Sequence, residues 1–349
     1  MLKNAVRFSY INAKIRSLKS QLLRQSDYEN LLKARGYHGL ADYLRFTPYC
    51  KNIDKGISSY DELIEIYYKN ILGEYIKVID SISINIKRLI CQLYQRYELE
   101  NLKVILRAIC YCRQSDKIKR LFFPLIKYTS FSTSDLIASK NLSEIINKLK
   151  GTWYYEPLIN SFYRFESEGE SFPLEMALDL TYYNHLWDIV SSLSRQDQKI
   201  AKNILGLQLD ALNIIWIIRF KERFLFSPEE ILNYSLINGK YISKNIRKKM
   251  AYSVNQKDII SNLEGTPYKE ILKGIDDPEI GYIKLLQYIL ILVRRNWNRY
   301  PFQIGTILGY IFLKETEIKD LITITEGKRI GIHEKNINPF MVHQLSLTC

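Results

Sequence analysis

Asp210-Ala211-Leu212-Asn213-Ile214-Ile215-Trp216-Ile217-Ile218-Arg219 lies inside a long amphipathic stretch, residues 201–224, and its polar skeleton recurs twice more. The first copy is Glu98-x-x-Asn101-Leu102-x-x-Ile105-x-Arg107. The third is Glu317-x-x-Asp320-Leu321-x-x-Ile324. Apolar residues three and four apart with polar residues between them predict helix. The same period runs through Ile64, Tyr67, Ile71, Tyr75, Ile79 and Ile82. It predicts a helix on Ile86, Leu89, Ile90, Leu93 and Tyr97, another on Leu102, Ile105, Leu106 and Ile109, and others over 144–149, 175–194 and 280–297. Ser227-Pro228-Glu229-Glu230 and Asp276-Asp277-Pro278-Glu279 read as helix starts. No run alternates strictly enough to force a sheet, and Asn-Gly occurs only at Asn238-Gly239. The chain reads as all-α.

A second motif repeats with the first. A short amphipathic segment ends in Thr47-Pro48-Tyr49, in Thr152-Trp153-Tyr154 and in Thr266-Pro267-Tyr268. Thr47 to Asn101 is 54 residues, Thr266 to Asp320 is 54, and Thr152 to Asn213 is 61. The seven extra residues are expected in a polar loop at 166–170. Two motifs in one order at matched spacing imply three related helical units, placed at residues 1–118, 119–226 and 227–349.

With 349 residues, the chain is long enough for a large core. Hydrophobic residues make up 47% and charged residues 25%, which excludes a mainly disordered chain. Lys and Arg number 50 against 37 Asp and Glu, a net +13, so acidic partner surfaces are favoured. Basic clusters stand at 117–120, at 240–249 and at Arg294, Arg295 and Arg299; a charge run is usually a solvated face. Five cysteines with one close pair, Cys110 and Cys112, fit neither a disulfide framework nor a zinc site. The first residues carry no apolar signal core, and the apolar runs 285–293 and 302–313 are short of the ~20 residues a spanning helix needs. A soluble, cytoplasmic protein is expected.

Catalytic patterns are missing from the sequence. There is no Gly-x-x-x-x-Gly-Lys-Ser/Thr loop, and the four histidines form no ligand motif. Glu315 and Glu317 lie two apart, on different helix faces, so spacing gives no catalytic dyad. No cofactor, metal, small-molecule substrate or nucleic acid is expected. Gly305-x-x-x-Gly309 reads as close packing of two helices.

These residues carry a resemblance. Tyr10-x-Asn12-Ala13-Lys14-x-Arg16, Asn101 through Arg107, Asp210 with Asn213, Arg219 and Lys221, and the 301–328 segment resemble the C subunit of the archaeal and bacterial V/A-type ATPases. In eukaryotes the counterpart is the d subunit. Lys14 stands where the family has Arg, and Asp320 where it more often has Asn. The resemblance implies an all-α, three-lobed funnel with approximate threefold symmetry. It implies a non-catalytic coupler on the cytoplasmic face of the membrane rotor ring, receiving the tip of the central shaft, as one copy in a hetero-oligomer. Two alternatives come from other classes: an unrelated helical-repeat scaffold and a helical nucleic-acid binder. The candidate partner-binding residues are Asn12, Arg16, Asn101, Arg107, Asn213, Arg219, Arg294, Arg295 and Asp320. The repeated polar residues among them either satisfy helix ends inside each lobe or form a polar ring around the cavity.

Overall fold

Side-chain caps set many of the helix starts. Ser59, Asn141, Ser194, Ser227 and Ser243 each accept a hydrogen bond from the backbone amide three residues on. Each satisfies a donor that the first turn leaves without a helical partner. Ser227 and Glu230 close a full capping box, with Pro228 in the first turn. Asp277 caps the amide of Glu279 at the second expected start. The computed structural model describes residues 2–53, 56–111, 118, 121–297 and 301–344. Among them the regular elements are helical and no strand occurs. The basic cluster at 117–120 (but for Ile118), Arg299, Cys112 and Cys349 lie outside the described residues.

Two expectations need correction. The stripes on Ile86–Tyr97 and Leu102–Ile109 belong to one helix, Ile84–Cys110. Glu98 breaks the apolar pattern between them, yet it is buried in the same face because its carboxylate is fully hydrogen-bonded there. The extra residues are not a loop at 166–170 either. The helix Tyr155–Glu168 runs to Glu168 and stops where Gly169 adopts a left-handed conformation, φ 72°. The corresponding helix in the third stretch, Tyr268–Leu272, has only 5 residues against 14.

The chain divides into two units. One is Ile84–Ser191; the other combines Met1–Ser83 with Ser192–Cys349. In the first, the helix Phe172–Ser191 packs on Ile84–Cys110 and on Tyr155–Glu168. Leu89, Tyr94, Leu106, Leu158 and Leu174 fill its core, all with 0% exposure. Each such side chain contributes about 1.5–3 kcal/mol of burial free energy. In the second, Arg195–Glu222 packs on Pro278–Trp297, and Ile304–Arg329 packs on both and on Tyr60–Ile79. The Gly305 and Gly309 positions give that close approach. A Cβ on Gly305 would sit 3.0 Å from Ile200, and one on Gly309 3.2 Å from Val293 and 3.4 Å from Trp297. Arg195–Glu222 is also long and apolar enough, by length and composition, to cross a membrane. Its apolar window is 72% buried within the protein, and Asp210 and Asn213 are both buried on it, as befits a core helix.

Candidate functional site

The two repeated motifs meet. Tyr154 Oη donates to Glu98 Oε2 at 2.7 Å, Tyr268 Oη to Asp210 Oδ2 at 2.7 Å, and Tyr49 Oη to Glu317 Oε1 at 2.7 Å. All three tyrosines are 0% exposed, and the acids 1%, 0% and 1%. The tyrosine is aimed by its own turn. Thr47, Thr152 and Thr266 each donate a hydroxyl proton to the carbonyl three residues back, on Leu44, Leu149 and Leu263, at 2.6–2.7 Å. That bond fixes the turn two residues ahead of the tyrosine ring.

Each acid also gathers backbone amides from a loop. Glu98 Oε1 accepts from the amides of Ser130 and Phe131. Asp210 accepts from those of Lys240, Tyr241 and Ile242 at 2.7–3.2 Å. A Cβ on Gly239 would collide with Asp210 Oδ1, so the Asn238-Gly239 pair is there to let the carboxylate in, not to turn a hairpin. Glu317 Oε2 accepts from Leu23 N at 2.6 Å, and its Oε1 also accepts from the buried Lys314 ammonium at 2.6 Å. Glu98 and Asp210 are held only by neutral donors, and burial pushes both carboxyl groups above the usual range against the pull of those bonds. Burial and the neighbouring carboxylate raise the three phenols, so each tyrosine remains a donor.

Three residues after each acid comes the second pin. Asn101 Nδ2 donates to Phe123 O at 2.9 Å while its Oδ1 accepts from Phe123 N at 2.8 Å. Asn213 makes the same pair with Leu236, at 2.8 and 2.7 Å. Arg247 adds a second donor to Leu236 O at 2.7 Å, so this member of the 240–249 basic run is taken into the interior. Asp320 accepts from Val342 N at 2.6 Å and His343 N at 2.8 Å, and its Oδ2 lies 2.7 Å from His343 Nδ1. A carboxylate has no donor, so an Asp fits here because the segment presents two amides where the other loops present an amide and a carbonyl. Asn101, Asn213 and Asp320 are 1%, 0% and 0% exposed, each with its polar atoms engaged within its own unit.

The arginines latch helix ends. Arg107 grips Glu175 through two bonds at 2.8 and 2.5 Å, and Arg219 reaches Glu279 at 2.5 Å. Each arginine lies in the last turn of a long helix and each acid in the first turn of a second long helix further along the chain, where helix dipoles favour both charges. A third latch, Arg329 to Asp61 at 2.6 Å, joins Ile304–Arg329 to Tyr60–Ile79 in the same way. Sequence spacing misses it because Arg329 follows Asp320 by nine residues rather than six. Glu315, two residues from Glu317, faces elsewhere and accepts from Tyr75 Oη at 2.6 Å.

The other candidates sit apart from these clamps. Asn12 is buried on the helix Leu2–Lys19, with no hydrogen-bond partner for its Oδ1 among the described residues. Arg16, on the same helix, is exposed, as are Arg294 and Arg295 near the end of Pro278–Trp297. Arg294 acts electrostatically on Lys19, whereas Arg295 acts on Tyr288, so the adjacent pair divides. Among the described residues no three His, Cys, Asp or Glu side chains converge to hold a metal.

The acids, amides and tyrosines are consumed in holding one another, which defines a helical scaffold with a polar, loop-pinning interior. The family model for the ATP synthase (C/AC39) subunit matches residues 11–340, and the chain belongs to that family. It is thus a non-catalytic subunit of an ATP synthase that works among partner subunits, and not itself an enzyme. Similar proteins include the A-type ATP synthase C subunit of Methanosarcina mazei, 26% identical over 97% of this chain and 94% of the relative. The C subunit of Methanocaldococcus jannaschii is 22% identical over 96% and 86%, and that of Archaeoglobus fulgidus 25% over 97% of each.

Proposed function

We propose that the chain is the central coupler of an A/V-type ATP synthase, seating the tip of the rotor shaft on the membrane ring at its cytoplasmic face. The observation that carries this reading is the threefold recurrence of one rigid clamp: tyrosine to acid, acid to loop amide, arginine to the start of another long helix. A part that transmits torque between two others must not yield internally, and buried, fully bonded polar groups fix a structure in one arrangement. The recurrence supports three related lobes. Grouped by their clamps, the proposed lobes are 84–191, 195–297, and 304–344 with 2–79, in place of the bounds 1–118, 119–226 and 227–349 read from spacing. A three-lobed funnel with approximate threefold symmetry is what the family resemblance implies for such lobes. The loops pinned by Asn101, Asn213 and Asp320 are then held in fixed positions for contact, while these three side chains act from behind them.

The test is reconstitution. The purified chain, mixed with the shaft subunits and the ring of its own synthase, is expected to bind both at once and to bridge them. Binding to stator subunits alone, or to neither, overturns the reading. Bulk RNA or DNA captured in a salt-sensitive way favours the nucleic-acid alternative instead.

A further inference from the structure

Two helices of the Met1–Ser83 and Ser192–Cys349 unit bring cations together at their ends. Arg16 and Lys19 are one turn apart on Leu2–Lys19, and Arg294 and Trp297 one turn apart on Pro278–Trp297. The two helices meet where Lys19 Nζ lies 4.3 Å from the centre of a Trp297 ring. Trp297 is in turn seated against Gly309, which leaves room for its ring. Burial, then Arg294, then Arg16 hold the Lys19 ammonium below its usual range. Among the described residues no acid pairs with Arg16, Lys19 or Arg294. The contrast with Arg107, Arg219 and Arg329 is direct, since each of those has an acid within 2.5–2.8 Å.

The cluster adjoins an open helix face. Ser9, Tyr10, Ala13, Arg16 and Ser17 share the exposed side of Leu2–Lys19, at steps of three and four. Apart from Tyr10 and Arg16 that side is small, so a second helix can approach the backbone closely. Converging like charges cost stability in the free protein, and an anion arriving between them removes that cost.

We propose that Arg16, Lys19 and Arg294, braced on Trp297, form a carboxylate socket that receives an acidic helical segment of a partner subunit lying along the exposed face of Leu2–Lys19. The inference rests on the coupler reading for where that partner sits, in the rotor. An anionic membrane surface is the poorer occupant. Basic lipid-binding segments gather about four to eight cations on a surface, each acting singly. Here one ammonium is stacked on an aromatic ring, with Arg16 one turn before it and Arg294 acting on it across the helix contact, the composition of a protein-interface anchor.

Zero-length carbodiimide cross-linking of the intact synthase, read by mass spectrometry, tests this. Lys19 is expected to join an Asp or Glu of a rotor subunit, with the exposed Lys69–Glu65 pair, 2.7 Å apart, as the control for reagent access. If Lys19 joins no carboxylate of another subunit while Lys69 and Glu65 are cross-linked, the socket is wrong. If it joins a stator carboxylate, the socket stands and the coupler reading falls. A second arm uses the R16Q/K19Q/R294Q variant and, as control, a K244Q/K248Q/K249Q variant. The first is expected to slow association with purified shaft and ring subunits on the order of tenfold at low salt, and the control to leave it near wild type. Equal association by all three proteins overturns the socket. So does a loss confined to vesicles of phosphatidylglycerol and phosphatidylcholine, which assigns the cations to lipid.

Discussion

Glu98 and Glu317 occupy equivalent places in two regions of the molecule, and they are neutralised differently. In the Ile84–Ser191 unit, Glu98 is surrounded by two amides and a phenol. In the other unit, Glu317 has an amide, a phenol and the buried ammonium of Lys314, which also donates to Tyr49 Oη at 2.9 Å. What the repeat preserves is the pinning geometry, helix to loop to tyrosine. The charge of the pin is free to vary, because a buried carboxylate is tolerated either by enough neutral donors or by a paired cation.

That contrast breaks most clearly under acid-to-amide substitution. Glu317→Gln leaves Lys314 buried and uncompensated, and denaturant unfolding should show a loss of about 3–5 kcal/mol. Glu98→Gln strands no charge, and should lose about 1–3 kcal/mol through an amide NH2 set against backbone donors. Equal losses would mean that Lys314 finds another partner.

The second pins exchange badly for the same kind of reason. Asn101→Asp removes the donor to the Phe123 carbonyl, and Asp320→Asn brings a donor up to the amide of Val342 or His343. Each should cost about 1–3 kcal/mol, although each merely copies the residue of a sister site. If Asp320→Asn is neutral by thermal melting, the loop at 342–343 can turn a carbonyl inward.

A subtler difference concerns protons. Asp179 in the Ile84–Ser191 unit is pushed up to about 6 from 3.8. Burial is the largest cause, with Glu100 and Glu175 adding to it and Lys103 opposing. The folded state therefore holds a proton that the unfolded state releases. Its stabilising contribution is full below 3.8 and is lost as pH rises through about 6. Unfolding followed across that window should show a decline with rising pH, of which Asp179→Asn removes about 2–3 kcal/mol. A decline unchanged in the variant would place the proton on another group.

The smallest effects belong to the latches. Arg107→Gln, Arg219→Gln and Arg329→Gln remove partly exposed ion pairs and should each cost under about 1 kcal/mol, less at high salt. A larger loss at Arg219 alone would mark it as doing more than joining two helix ends.

Much of this architecture is legible residue by residue. Period 3.6 locates the long helices, and Ser227 and Asp277 mark two starts where the structure has them. The recurrence of Thr-x-Tyr and of acid-x-x-Asn announces three related stretches. Membership of Asn101, Asn213 and Asp320 in one set is visible from spacing, as is the odd Asp. Spacing does not expose the role of Glu98, Asp210 and Glu317, because an acid interrupting an apolar stripe looks like the end of a helix, not a buried pin.

The sequence by itself determined that the chain is helical, which faces of its most periodic helices are apolar, and that two motifs alternate three times. Only the tertiary structure decided which tyrosine meets which acid. Tyr154 closes on Glu98 and Tyr268 on Asp210, each the acid preceding it in the chain, while Tyr49 closes on Glu317, 268 positions away. Periodicity reports the direction a side chain points from its own backbone and carries no information about what covers it. The partner is chosen by packing: a buried carboxylate must find donors, a buried phenol must find an acceptor, and the fold brings together the pair that satisfies both.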